Sequence, residues 1–151
     1  MDYMSNFADE IRRRANTPPE TQPIQSRTII EEKVNEFYDN VKWKLQYTYP
    51  INGVIRHWHT LLLSQNDYCF GAGINEDYSH IYQVRGRRAE LTIFLSSLKE
   101  HCASDGIDFH MIRDSEPAYR HLRKRLDSVD EILYFTGINP NAYHAEFCIK
   151  L

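Results

Sequence analysis

The chain holds seven histidines, three cysteines and twelve arginines, and the spacing of these residues sets what chemistry they can do. His144-Ala145-Glu146 has the H-x-E spacing with which a zinc-dependent nucleobase deaminase puts a histidine on the metal and a glutamate on the moving proton. That site also needs a P-C-x-x-C, and no C-x-x-C occurs in the chain, so two residues sharing one strand face is the plainer account. Arg56-His57-Trp58-His59-Thr60 sets two histidines two apart. On a strand they share a face, the geometry of an acid–base pair or of two metal ligands. The H-x-T/S signature of two-histidine phosphodiesterases is missing, since neither histidine has a hydroxyl residue two positions later. His80 and His110 supply no second copy. The expectation is a pair on the wetter face of a sheet, with a small histidine-dependent hydrolase as an alternative.

Zinc would need close ligand pairs, and among Cys69, His101, Cys102 and Cys148 only His101-Cys102 is adjacent. Buried cysteine acting as a small hydrophobe accounts for these residues better, so no metal or cofactor is expected. Gly71-Ala72-Gly73 lacks the third glycine of a dinucleotide fingerprint, position 76 being Glu76, and predicts a tight turn within a loop over Gly71–Ser79.

The arginines form a clearer pattern. Between Arg85 and Arg125 there are nine Lys/Arg against six Asp/Glu, a local +3 in a chain of net charge -3. Arg85, Arg87 and Arg88 precede one predicted helix, and Arg120, Arg123, Lys124 and Arg125 load a second, with His121 among them. Side by side, the two helices would merge these residues into one patch suited to phosphate, an acidic protein surface or RNA. Salt-bridged, solvated helix faces are the competing account. Ten tyrosines and two tryptophans add a second recognition chemistry. Tyr47, Tyr49, Tyr78 and Tyr143 fall in or near loops and are the interface candidates, and Trp43 falls off its helix stripe.

Several elements must position these residues. Residues 5–15 read as a short helix capped by Ser5, followed by the proline-rich linker TPPETQPIQ. Thr28 and Glu31 make a T-x-x-E capping box, after which Ile30, Val34, Phe37, Val41 and Leu45 trace a helical stripe that Pro50 ends. Asn52-Gly53 is a turn, and Val54–Leu63 reads as a buried strand, with Tyr68–Phe70 as a hairpin partner and Ile81–Val84 as another short strand. The clearest unit runs from Gly86 to Arg113. Leu91, Phe94, Leu95, Leu98 and Cys102 make a helix stripe, Gly106 and Ile107 a stop, and Ile107, Phe109 and Met111 alternate as a strand. A further helix capped near Asp114 or Ser115 and running to Leu126, a strand at Ile132–Thr136, a turn at Gly137–Asn141 and a strand at Tyr143–Leu151 complete the chain.

This order predicts an α+β fold, a mixed or antiparallel sheet with helices mainly on one face. Residues 1–25 form an N-terminal helix and linker, and 26–151 one domain. No apolar run is long enough to cross a bilayer, the first residues lack a signal-peptide core, and three scattered cysteines fit a reducing, cytoplasmic setting.

The opening SNFADEIRRR, the proline linker, the helix EKVNEFYDNVKWKL and the unit LKEHCASDGIDFHM together give a layout that resembles short accessory proteins encoded by phages and mobile elements of bacteria. The resemblance implies an accessory factor, in some cases an inhibitor of a host defence system. It carries no site residues. The expectation is a small non-catalytic binding protein with a protein partner. A nucleotide- or nucleic-acid-binding module using the arginine patch is the alternative. No membrane partner is expected, and the oligomeric state stays open.

Overall fold

A computed structural model describes residues 27–65, 70–75, 78–113, 124–138 and 143–151. The predicted helix at 5–15 and its linker lie outside these. Helix α1 spans Arg27–Gln46 and buries the predicted stripe together with Tyr38. Thr28 lies inside its first turn and is therefore not its cap; instead the Arg27 Nε pairs with Glu31 one turn on, at 3.2 Å. Asn52 and Gly53 both have positive φ (53° and 75°), and Ile51 and Val54 exchange backbone hydrogen bonds of 2.9 and 3.1 Å across them. This is the turn an Asn-Gly pair favours.

Strand β1 spans Val54–Gln65, as its branched and aromatic run predicts. Strand β2 covers Gly71–Asn75 and β3 covers Tyr78–Gly86. The predicted loop over Gly71–Ser79 is thus mostly strand. Glycines are tolerated in β2 because among the described strands it sits at the sheet's edge, with only β3 beside it. Tyr68 and Cys69 of the expected hairpin partner lie outside the described residues; β1 pairs in parallel with β3, which lies between β1 and β2.

Helix α2 spans Arg88–Ser104 and strand β4 Asp108–Arg113. At the start of α2 the Arg87 N–H donates to the buried Glu90 carboxylate at 3.2 Å. Gly86 fits closely there: a Cβ would stand 3.2 Å from the Phe70 side chain and 3.3 Å from the Glu90 Cβ, so these neighbours would have to shift. At its end Gly106 takes φ 73°, the Gly106 N–H donates to Ala103 at 3.2 Å and the Ile107 N–H to Cys102 at 2.8 Å. These two bonds are the Schellman stop that the Gly-Ile pair predicts.

The later elements exchange types. Lys124–Leu126, expected to be helical, is strand β5, paired with the outer edge of β4; residues 114–123 lie outside the described set. The strand expected at Ile132–Thr136 is part of helix α3, Val129–Ile138, which also takes in Gly137 and Ile138 of the expected turn. Ser128 marks the start: its Oγ accepts from the Glu131 N–H at 3.1 Å, an N-cap bond that orders the first turn, and the hydroxyl lies 3.3 Å from the Glu131 carboxylate. Ile132, Leu133 and Thr136 then share a buried helix face. Strand β6, Tyr143–Lys150, is the predicted last strand.

The six strands run in the order β2-β3-β1-β6-β4-β5. All neighbours are antiparallel except β1 and β3, so the fold is α+β with a mixed sheet. The last strand in sequence is an interior one, joining β1 to β4. Helix α2 packs between α1 and α3, and all three share one core with the inward residues of the sheet, among them Leu61, Val84, Met111, Leu126 and Phe147. No helix among the described residues is long and apolar enough to cross a membrane.

Candidate functional site

Strand alternation sends β1 residues Arg56, Trp58 and Thr60 to one face of the sheet and His57, His59 and Leu61 to the other. The histidine pair therefore does share a face, but it is the helix-covered one rather than the wetter one. The His57 ring stacks near Phe147 at 6.3 Å and lies 5.9 Å from His59, and burial plus the charge of Lys44 lowers its pKa. His59 meets Phe37 edge-on at 5.3 Å. It lines a cavity of about 240 Å³ between α1 and the sheet, with Glu36, Asn40, Ile74 and Tyr82.

The opposite face carries a row of polar groups that sequence reasoning passed over. Register sets Trp58 opposite Glu146, and Glu146 opposite His110. The Arg56 Nε donates to Glu146 at 2.6 Å, and the His110 Nε2 stands 3.6 Å from the other carboxylate oxygen. Cys148 Sγ lies 3.4 Å from Glu146 as well. Beyond His110, the Asp108 carboxylate is 3.5 Å from Nδ1 and accepts from Arg125 at 3.0 Å. His144, the other half of the H-x-E pattern, contacts Thr60 Oγ1 through Nδ1 at 3.3 Å. Glu146 and His110 are buried, and the row crosses three paired strands, β1, β6 and β4. Among the described residues no three His, Cys, Asp or Glu side chains cluster as metal ligands. Cys102 packs in the core, its thiol pushed up to about 12 by burial, while Cys148 faces the other side of the sheet.

The arginine set divides. Arg85 is exposed near the end of β3, and Arg87 and Arg88 open α2, where Arg88 meets Asp130 at 3.5 Å. Arg125 lies on β5, four strands from β3 in the sheet order, and bonds Asp127 at 2.7 Å as well as Asp108. Lys124 sits over the Phe135 ring at 4.5 Å, on the helix side. Two helices side by side therefore do not merge Arg85 and Arg125. Both point to the same sheet face, roughly 19 Å apart across the strands and a further four residues apart along them. Arg120 and Arg123 lie outside the described residues.

No known protein family matches the chain, and no curated protein or solved structure does.

The tyrosine expectation leads to a different place. Trp43 and Tyr47 project from the outer side of the last turns of α1, with ring centroids 4.9 Å apart and exposures of 57% and 69%. Tyr49 and Ile51 follow at 88% and 74%, and Leu151, exposed too, is tied to the same turn by its N–H donating to Gly53 at 2.8 Å. Lys44 lies over the Trp43 ring at 5.7 Å. Beneath this end opens a cavity of about 490 Å³ lined by Leu45, Ile55, Ile107 and Ile149, with Lys42, Gln46 and Asp105 at its polar side. The side chains of Tyr78 and Tyr143 lie outside the described set. The signal for this region was present in the sequence: Trp43 off the stripe, and aromatics in the segment before Pro50.

Proposed function

We propose that this chain is a non-catalytic binding protein that occludes the surface of a partner protein, with the aromatic end of α1 as its contact. The exposure of Trp43, Tyr47, Tyr49 and Ile51 at one end of the molecule carries this reading. Single exposed apolar residues are ordinary, but a cluster of them is the usual mark of a binding surface. Tryptophan and tyrosine anchor such surfaces because they bring large contact area with few rotors to freeze. The cavity under Leu45 and Ile149 is a socket for an apolar side chain of the partner. The layout shared with phage and mobile-element accessory proteins supports a partner within a host defence system. Two buried free thiols support a reducing, cytoplasmic setting.

A photo-crosslinking residue placed at Tyr49 tests the contact, with one at Glu32, exposed and near the other end of α1, as control. A partner cross-linked from position 49 and not from 32 is the expected result. Equal capture from both, or unaltered binding by a Trp43→Ala/Tyr47→Ala protein, removes the proposal. The second reading, nucleotide or nucleic-acid binding, has its support in Arg85, Arg87 and Arg88 gathered around the start of α2. Affinity that falls steeply with salt would favour it over the protein partner.

A further inference from the structure

The cavity between α1 and the sheet has a composition that the proposed interface does not use. Phe37 and Tyr82 lie with centroids 4.4 Å apart and planes 35° from parallel. The His59 ring stands nearly perpendicular to both, at 84° to Phe37 and 70° to Tyr82. All three rings belong to the lining, and Phe37 and Tyr82 are themselves buried against each other. Ile74, 54% exposed, stands at the rim, and Asn40 and the Gly73 backbone complete the lining. Glu36 carries the one formal charge among the lining residues. It pairs with Lys33 at 3.6 Å, but both side chains are well exposed, and a solvated pair of this kind gives up its carboxylate readily. The Tyr82 hydroxyl is pushed up to about 12, first by burial and then by the charge of Glu36.

A mostly apolar, aromatic lining that holds a single carboxylate suits a particular ligand chemistry. Ring quadrupoles attract a diffuse positive charge, and apolar walls favour methyl groups over a strongly hydrated ammonium. A volume of about 240 Å³ lies below the range of drug-sized sites, so the ligand must be small. We propose that the cavity lined by Glu36, Phe37, His59, Ile74 and Tyr82 is a binding site for a small methylated organic cation.

The test uses choline and its uncharged isostere 3,3-dimethylbutanol, titrated separately into the isotopically labelled full chain and followed by amide chemical shifts. Choline should give saturable shifts centred on Glu36, Asn40, Gly73 and Tyr82, with a dissociation constant of roughly millimolar or below. The isostere should bind about tenfold more weakly, the part owed to charge. Glu36→Gln, at an exposed position, should weaken choline several-fold and leave the isostere unchanged. Ile74→Trp should block both without unfolding the protein, because its side chain projects into solvent. Equal affinity for choline and the isostere would reduce the site to an apolar crevice and overturn the proposal. Shifts that do not saturate, or that centre elsewhere, overturn it too.

Discussion

The β5 edge of the sheet and the C-terminal end of α1 are built from the two residue classes most often met at interfaces, and they use them in opposite ways. At the edge, Arg125 is held by Asp108 and Asp127, and both Arg113 and Lys124 lie against Phe135. Lys99 reaches across to the Asp127 carbonyl. Cationic groups there fasten β5 and α3 to the body. At the α1 end the rings of Trp43 and Tyr47 touch each other, and both face solvent. Arginine density along a sequence therefore measures opportunity for pairing as much as recognition, because a guanidinium near a carboxylate finds it during folding. An exposed aromatic pair has no comparable partner in water.

This contrast is open to measurement. The largest effect belongs to the aromatic end. Trp43→Ala/Tyr47→Ala should weaken partner binding at least about 30-fold, an anchor's usual contribution of about 2 kcal/mol. Its unfolding free energy should stay within about 0.5 kcal/mol of the parent, as expected of exposed sites. Tyr38 is the buried counterpart on the same helix. Its hydroxyl donates to Asp105 at 2.6 Å and lies 3.1 Å from the His101 carbonyl, tying α1 to α2. Tyr38→Phe should lower stability by about 1 kcal/mol in urea titration and leave binding unchanged.

A third measurement concerns pH. Burial holds the His57 pKa in the folded chain below its ordinary 6.5, so the unfolded chain takes up that proton first as pH falls. The stability linked to His57 is full above about pH 6.5 and declines as pH drops through that value towards the lowered one. Urea midpoints at about pH 7.5 and about pH 5.5 should differ less for His57→Phe than for the parent. The smallest effect is expected at the edge. Arg125→Ala, a pair 48% and 45% exposed with Asp108, should cost about 0.5 kcal/mol of stability and leave partner affinity unchanged. A loss of affinity there as large as that from Trp43 would erase the contrast.

The α2–β4 unit was legible because its signals are local: Gly106 can take the left-handed conformation, and the stripe before it and the alternation after it have different periods. Helix α1 and the strands β1 and β6 were legible for similar reasons. The exchange of types at β5 and α3 was not. Ile132, Leu133, Tyr134 and Phe135 form an apolar run with strand composition, and only Ser128 with Glu131 marks the helix start. Strand β2 was missed because Gly71 and Gly73 signal a turn wherever no neighbour is known, and its neighbour β3 decides otherwise. The charged row through Arg56, Glu146, His110 and Asp108 joins residues up to ninety positions apart, and it exists only once β1, β6 and β4 are in register. The His57–His59 spacing showed a shared face but not which one, since that depends on where α1 packs.

The place of β6 inside the sheet has a consequence for biosynthesis. Without Tyr143–Lys150, β2, β3 and β1 can pair only as one half-sheet and β4 with β5 as another, each left with an edge that β6 would cover. A nascent chain in that condition offers two templates for wrong pairing. Ribosome-held intermediates should accordingly draw chaperones until Tyr143–Lys150 emerges, and a stop codon anywhere before Tyr143 leaves a translation product that never closes its sheet.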